Sequence, residues 1–162
     1  MNHGTRITAL IALLLAVGVT SALAANAGST GRHAIHKTET LRYFSKDVST
    51  TVTRADGTVL RKPPFPEPQP GDTLDINALD YVGNHRHHAK RFSASHHLQC
   101  VFTSAEPQCI SHVAVGGSLL IFEGFPGTLI NGTGRYQGAS GRVLKNKEVK
   151  GGSDIVARIH TR

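Results

Sequence analysis

Hydrophobic and polar residues alternate along most of the chain after its first 35 residues. The clearest case is "GDTLDINALDYV", where Leu74, Ile76 and Ala78 fall on one face of an extended segment and the residues between them are polar. Leu79 and Tyr81 then take over as the apolar set. This change of phase predicts a strand with a β-bulge near Ala78.

The segment "HAKRFSASHHLQCVF" predicts a long half-buried strand, because Phe92, His96 and Leu98 share one face and polar residues occupy the other. Shorter alternating pieces follow, and Gly or Pro separates them: "ISHVAV", "GSLLIFEG", "RVLKNKEV" and "SDIVARIHTR". Upstream, the Asp-Gly pair in "TETLRYFSKDVSTTVTRADGTVL" predicts a hairpin. About eight closely spaced strands predict an all-β antiparallel sandwich or barrel. Ten of the 17 glycines lie between positions 116 and 152, which favours the barrel, where glycines sit at strand bends.

The N-terminus indicates the compartment. Arg6 precedes the apolar run "ITALIALLLAVGVT", and "SALAANA" supplies the small residues that a signal peptidase reads. Residues 1–25 are therefore predicted to be a signal peptide, and the protein to be secreted with no membrane span after processing. Residues 26–162 form one predicted domain, and the Pro-rich stretch at 63–70 is a connection within it.

The charge balance favours no specific partner. Cleavage removes Arg6, so that 17 Lys and Arg remain of the 18, against 11 Asp and Glu, a net charge of +6. The basic residues are scattered through several segments and are not interleaved with aromatic residues. A solvated basic surface is therefore the prediction, with no nucleic-acid partner.

Cys100 and Cys109 flank "SAEPQ", which predicts a turn. In an oxidising compartment, two cysteines at the end of a hairpin can pair across the strands, so a disulfide is predicted. The spacing is neither C-x-x-C nor that of a zinc knuckle, so no redox or metal role is expected.

The run "GSLLIFEGFPGTLINGTGRYQGASGRVLKNKE" and the final "DIVARI" resemble the C-terminal half of the allene oxide cyclase and dirigent superfamily, in a secreted and bacterial-looking form. The match is most specific at residues 131–141. Neither a Lys nor a helix pattern follows these glycines immediately, so they do not form a phosphate loop. The resemblance implies an eight-stranded antiparallel β-barrel that assembles as a homotrimer. It also implies a small apolar or aromatic ligand in the lumen, whose cyclisation or coupling the barrel steers without a cofactor. A non-catalytic carrier and a structural surface protein are the alternatives on the same barrel.

Site residues transfer from the family only in part. The dirigent Arg that follows Ala in the glycine-rich element is missing here, because Ser140 stands between Ala139 and Gly141. Arg142 lies on the same strand face as Ser140 and is the candidate substitute. The carboxylate that allene oxide cyclases use has no assignable counterpart.

Among the ten histidines, His96 is the candidate acid or base because it shares a face with apolar residues. The adjacent pairs His87-His88 and His96-His97 face opposite ways on a strand, so the spacing predicts no metal site. The residues expected to contact a ligand in the lumen are Phe92, Leu98, Tyr81 and Tyr136.

Overall fold

A computed structural model describes residues 37–162. The predicted signal peptide (residues 1–25) and residues 26–36 of the predicted domain lie outside the described residues. The described chain contains nine strands and one turn of 3-10 helix: β1 Lys37–Thr53, β2 Val59–Leu60, β3 Thr73–Val82, β4 Ala94–Val101, β5 Gln108–Val115, β6 Ser118–Glu123, β7 Thr128–Gly132, the 3-10 helix Gly134–Tyr136, β8 Ser140–Val149 and β9 Gly152–Thr161.

The strands form a closed antiparallel barrel. Each strand from β3 to β8 pairs with the next along the chain, β1 pairs with β3, and β1 also pairs with β9 over residues 37–46, which closes the sheet. The two-residue strand β2 pairs only with the end of β1 and stands outside the ring of eight. The predicted all-β, eight-stranded antiparallel barrel is therefore confirmed.

The predicted bulge lies on a different strand. The β3–β4 ladder runs without interruption from Thr73 to Asp80, so the phase of β3 does not change at Ala78. The irregularity is in β1, where Val48 is the extra residue opposite the Ala78–Asn77 step. Leu79 is apolar although it points outward, and Asp80 points inward and is buried. The prediction of a phase change in β3 was wrong for this reason.

The glycine-rich stretch 131–141 is the corner between β7 and β8, as its composition predicted. Gly132 lies against the Tyr136 backbone, where a Cβ would come within 2.4 Å of the carbonyl oxygen. Gly134 has φ +57°, the left-handed region that favours glycine. Tyr136 is completely buried and joins the hydrophobic core that includes Leu41 and Tyr43. The corner therefore closes one end of the barrel with an aromatic ring.

Cys100 and Cys109 are directly opposite each other on β4 and β5, with Cα atoms 4.0 Å apart, and form the predicted disulfide. The Pro-rich stretch belongs to the connection between β2 and β3, and Asp72 anchors the end of that connection. Its carboxylate accepts hydrogen bonds from the backbone N–H groups of Ala55 (3.0 Å) and Gln69 (2.7 Å) and pairs with the Arg54 guanidinium at 2.9 Å.

Candidate functional site

A cavity of about 60 Å³ occupies the barrel lumen. Its walls are mainly aliphatic because every second residue of each strand faces inward. At one end it reaches the β6–β7 turn, where Phe125 is 62% exposed. Apolar wall residues come from six strands and include Leu41, Leu98, Val113, Leu120, Phe122, Val143, Ile155 and Ala157.

Polar side chains gather on one part of this apolar wall. His96 on β4 and Asp80 on β3 line the cavity, and Ser45 on β1 lies beside them. Ser45 Oγ and His96 Nδ1 are hydrogen-bonded at 3.0 Å, and Asp80 Oδ1 is 3.7 Å from the same nitrogen. No residue within 37–162 hydrogen-bonds Asp80 Oδ1, although Asp80 is only 2% exposed. A buried acceptor without a partner is rare in folded proteins and needs an explanation.

Tyr43 completes this polar group. Its side chain lines the cavity from β1. Burial raises the pKa of the Tyr43 hydroxyl, and the nearby Asp80 charge raises it further, outweighing a hydrogen bond with Ser93. The phenol is therefore neutral across the physiological range. We call Tyr43, Ser45, Asp80 and His96 the polar floor.

Two more carboxylates face inward beyond the polar floor. Asp47 follows Ser45 on the inward face of β1, and Glu148 follows Asn146 on that of β8. Partial desolvation raises the pKa of Asp47, although His96 lowers it, and the Glu148 charge raises it further. Among the described residues, the cavity lining contains one carboxylate, Asp80, and no Lys or Arg, so an anionic ligand is disfavoured there.

The structure brings two of the predicted site residues into the lumen. His96 and Leu98 line the cavity, as their shared strand face with the core implied. Phe92 precedes β4 in a loop and is 56% exposed. Tyr81 lies outside the barrel, where its ring packs against Phe44 and His88. These two residues therefore do not line the lumen.

Arg142 also points away from the cavity. It pairs with Arg158 on β9, its side chain is exposed, and the inward position beside it belongs to Val143. Sequence alternation placed Arg142 and Ser140 on one face, and the structure shows that this face is the outer one. The expectation that Arg142 substitutes for the dirigent Arg inside the barrel was wrong.

Tyr136 lies in the core below the cavity and does not line it. Its hydroxyl donates to Glu39 Oε2 (3.3 Å) and accepts from Arg135, whose guanidinium also stacks 4.6 Å from the ring centroid. Burial raises the Tyr136 pKa to about 12, with the Glu39 charge adding to the effect and Arg135 opposing it. Tyr136 therefore closes one end of the barrel as a neutral ring. It does not make the ligand contact that the sequence predicted.

Sequence reasoning missed Tyr43, Ser45 and Asp80. Asp80 sits between two apolar residues, Leu79 and Tyr81, so it read as the solvent-facing position. The signal that could have revealed it was the uninterrupted alternation from Leu74, which places Asp80 on the same face as Ala78.

Within residues 37–162, no three or more His, Cys, Asp or Glu side chains are grouped to hold a metal ion. The described residues include no helix of the length and apolar character needed to cross a membrane.

Comparison with solved structures identifies the architecture. A pterocarpan synthase dirigent protein superposes with a TM-score of 0.51 over 77% of this chain and 88% of its own, at 15% sequence identity. The chain has a dirigent-like barrel. No protein-family model matches the sequence, and no curated protein matches it either. The likeness of this dirigent-like barrel to the solved structure is therefore one of fold. The disulfide between Cys100 and Cys109 is compatible with an extracellular protein.

Proposed function

We propose that this dirigent-like barrel binds a small, mainly apolar or aromatic molecule that carries a hydrogen-bond donor, and steers its cyclisation or coupling in the lumen. The observation that carries the proposal is the buried, unpartnered Asp80 Oδ1 beside His96 in an otherwise aliphatic cavity. Ligand sites in proteins typically combine an apolar lining with a few convergent polar groups. The dirigent protein of similar fold is a synthase by name, which is consistent with chemistry on this barrel.

The polar floor suits proton transfer. Hydrogen bonding to Ser45 fixes the Nδ1 side of the His96 ring, and the Asp80 carboxylate lies 3.7 Å from the same nitrogen. No residue in the described chain hydrogen-bonds His96 Nε2, so that nitrogen is free to accept or return a proton. Confinement between aliphatic walls would supply the rest of the rate enhancement by holding the reacting conformation.

The size of the cavity sets a condition on this function. Benzene is known to bind in an engineered apolar cavity of about 150 Å³. The lumen, at about 60 Å³, is smaller than that. An aromatic ligand therefore requires the barrel to open further, and the proposed place of opening is the β6–β7 turn, where Phe125 and Pro126 line the cavity and Phe125 is 62% exposed.

A matched pair of ligands tests the binding step. 4-Methylphenol and 1,4-dimethylbenzene have nearly the same shape, but only the phenol has a donor for Asp80. We expect 4-methylphenol to bind at least about tenfold more tightly, the equivalent of one charge-assisted hydrogen bond. In an Asp80→Leu variant the preference should disappear. Equal affinity of the wild-type protein for both ligands, or no binding of either, would contradict the proposal.

A second test separates an enzyme from a carrier once a substrate is found. His96→Gln should lower turnover while leaving substrate affinity nearly unchanged, because the ring acts on the proton and the walls supply the binding. Arg142→Gln is the control, since Arg142 faces outward and should affect neither quantity. Equal losses of turnover and affinity in His96→Gln would favour the carrier.

The proposed assembly is a homotrimer formed through outer faces of the barrel. An outer cleft of about 340 Å³ includes Val48, Leu79, Ala114 and Leu119, and Val48 is 64% exposed. Burial of this apolar strip would favour association. Analytical ultracentrifugation of the wild-type protein and of Val48→Asp tests this, and a monomeric wild-type protein would refute it.

A further inference from the structure

The fold collects basic residues from distant parts of the sequence onto one outer face. Six exposed cations lie across neighbouring strands β8, β9 and β1 and the adjoining β3–β4 loop. We call them the basic face: Arg42, Arg86, Arg142, Lys145, Lys147 and Arg158.

Strand register places these cations side by side. Arg142 is opposite Arg158 across the β8–β9 ladder, while Lys145 and Arg42 both pair with Val156 from its two sides. Neighbouring strands are about 4.8 Å apart, and alternate residues of one strand about 6.7 Å apart. The cations therefore form a closely spaced array of like charges, which is unfavourable without a counter-charge.

The basic face has a single acidic residue, Asp154, which lies opposite Lys147 on the β8–β9 ladder. None of its six cations forms a salt bridge with another residue of the described chain. Asp154 accepts hydrogen bonds from the His85 backbone N–H (2.7 Å) and ring Nδ1 (2.6 Å). The face thus holds six of the 16 Lys and Arg residues after position 36 but one of the 11 acids.

The basic face also contains a groove. A cleft of about 480 Å³ runs between the loop at 83–86 and the outer surface of β8 and β9, lined by Arg42, Arg86, Lys145 and Lys147. A walled cleft on a convex barrel fits a single extended chain better than a flat bilayer. Single-stranded nucleic acid is usually held by exposed aromatic rings that stack on bases. None of the residues that line this cleft is aromatic apart from His85, whose ring is held by Asp154.

We propose that the basic face binds an acidic polysaccharide, a linear chain with carboxylate or sulfate groups at regular intervals. Complementary charge is the main support, and the expected secretion of the protein would bring it into contact with such polymers. This surface is separate from the lumen, whose inward carboxylates Asp47, Asp80 and Glu148 disfavour anions. A second copy of the chain is a poor occupant, because two basic faces repel each other.

Binding to polygalacturonate tests the proposal, with neutral dextran as the polymer control. The wild-type protein should bind polygalacturonate and not dextran, and its affinity should fall at least about tenfold between about 0.05 M and about 0.5 M salt, because salt screens exposed charges. Lys145→Glu/Lys147→Glu should weaken binding at least about tenfold. Arg61→Glu/Lys62→Glu changes the net charge equally at exposed positions outside the basic face and should change affinity less than about threefold.

Three outcomes would overturn the proposal: no binding of the wild-type protein at low salt, equal losses in the two double variants, or tighter binding to single-stranded DNA or to anionic vesicles than to polygalacturonate. Acetylation footprinting of the wild-type protein provides a measurement that does not depend on the variants folding. Polygalacturonate should protect Lys145 and Lys147 from acetylation and leave Lys62 reactive, and uniform protection or none would contradict the proposed site. Neither polysaccharide binding nor lysine acetylation measures the affinity of a ligand in the lumen. The two measurements can therefore succeed or fail independently of the proposed function.

Discussion

Two buried aspartates should respond in opposite ways to the same substitution. Asp72 and Asp80 are 1% and 2% exposed. The Asp72 carboxylate is held by two backbone N–H groups and by a salt bridge, whereas Asp80 Oδ1 has no hydrogen-bond partner among the described residues. Leucine has the same number of side-chain heavy atoms as aspartate, so Asp→Leu removes the charge with little change in shape.

The structure sets the sign and size of each effect. An unsatisfied buried polar group costs about 1–3 kcal/mol, so Asp80→Leu should raise the free energy of unfolding by about that amount at pH 7. Removing one partner of a buried ion pair typically costs about 3–5 kcal/mol, so Asp72→Leu should lower the free energy of unfolding by about that amount. Such a result would identify Asp80 as a residue retained at the expense of stability, as functional groups often are.

Urea unfolding of the chain from residue 26 measures both effects. With a slope of about 1–3 kcal/mol per molar urea, Asp80→Leu should move the midpoint upward by about 1 M. An unchanged slope would show that the shift reflects stability and not the compactness of either state. If Asp80→Leu destabilises the protein as strongly as Asp72→Leu, the Asp80 carboxylate is satisfied in the folded protein and the argument for a ligand at the polar floor fails.

Three further predictions concern the frame of the barrel. Gly132→Ala should destabilise it by at least about 2 kcal/mol in urea unfolding, because the new Cβ would clash with the Tyr136 carbonyl; a loss below about 0.5 kcal/mol would show that the corner yields. Burial alone would raise the pKa of Asp154, but hydrogen bonds from the side chain and backbone of His85 lower it overall. The stability that these hydrogen bonds give the protein is present above the unfolded pKa of about 3.9 and is lost as pH falls through the folded pKa. Asp154→Asn should therefore destabilise the protein by about 1–2 kcal/mol at pH 7 and have little effect near pH 2. A loss of stability that does not depend on pH would contradict this prediction. Replacing both cysteines with alanine should lower the free energy of unfolding by about 2–3 kcal/mol, as the loss of a short cross-link predicts, and an unchanged thermal midpoint would refute it.

Local patterns in the sequence predicted an antiparallel sandwich or barrel, the density of glycines favoured the barrel, and the family resemblance implied its eight strands. Alternation, turn residues and the glycine-rich corner are local properties, and together they located the strands and the disulfide. His96 and Leu98 followed from the same alternation, because their strand is regular.

The polar floor and the basic face depend on contacts between distant segments. Asp80 points inward because β3 keeps its alternation and the irregularity lies at Val48 of β1, but the apolar residues Leu79 and Tyr81 on either side of Asp80 obscured this in the sequence. Tyr81 is shielded on the outside by Phe44 and His88, so its apolar ring did not mark the lumen. The basic residues are scattered in sequence and become neighbours only when β1 pairs with β9.

Native mass spectrometry of the protein purified from its own source tests whether the lumen holds a ligand. We predict that the wild-type barrel carries a small organic molecule with a hydrogen-bond donor, and that the Asp80→Leu variant, produced in the same way, does not retain it. A wild-type protein without bound mass that also fails to take up 4-methylphenol, or an Asp80→Leu variant that retains the same molecule equally well, would contradict the proposal that the polar floor is a ligand site.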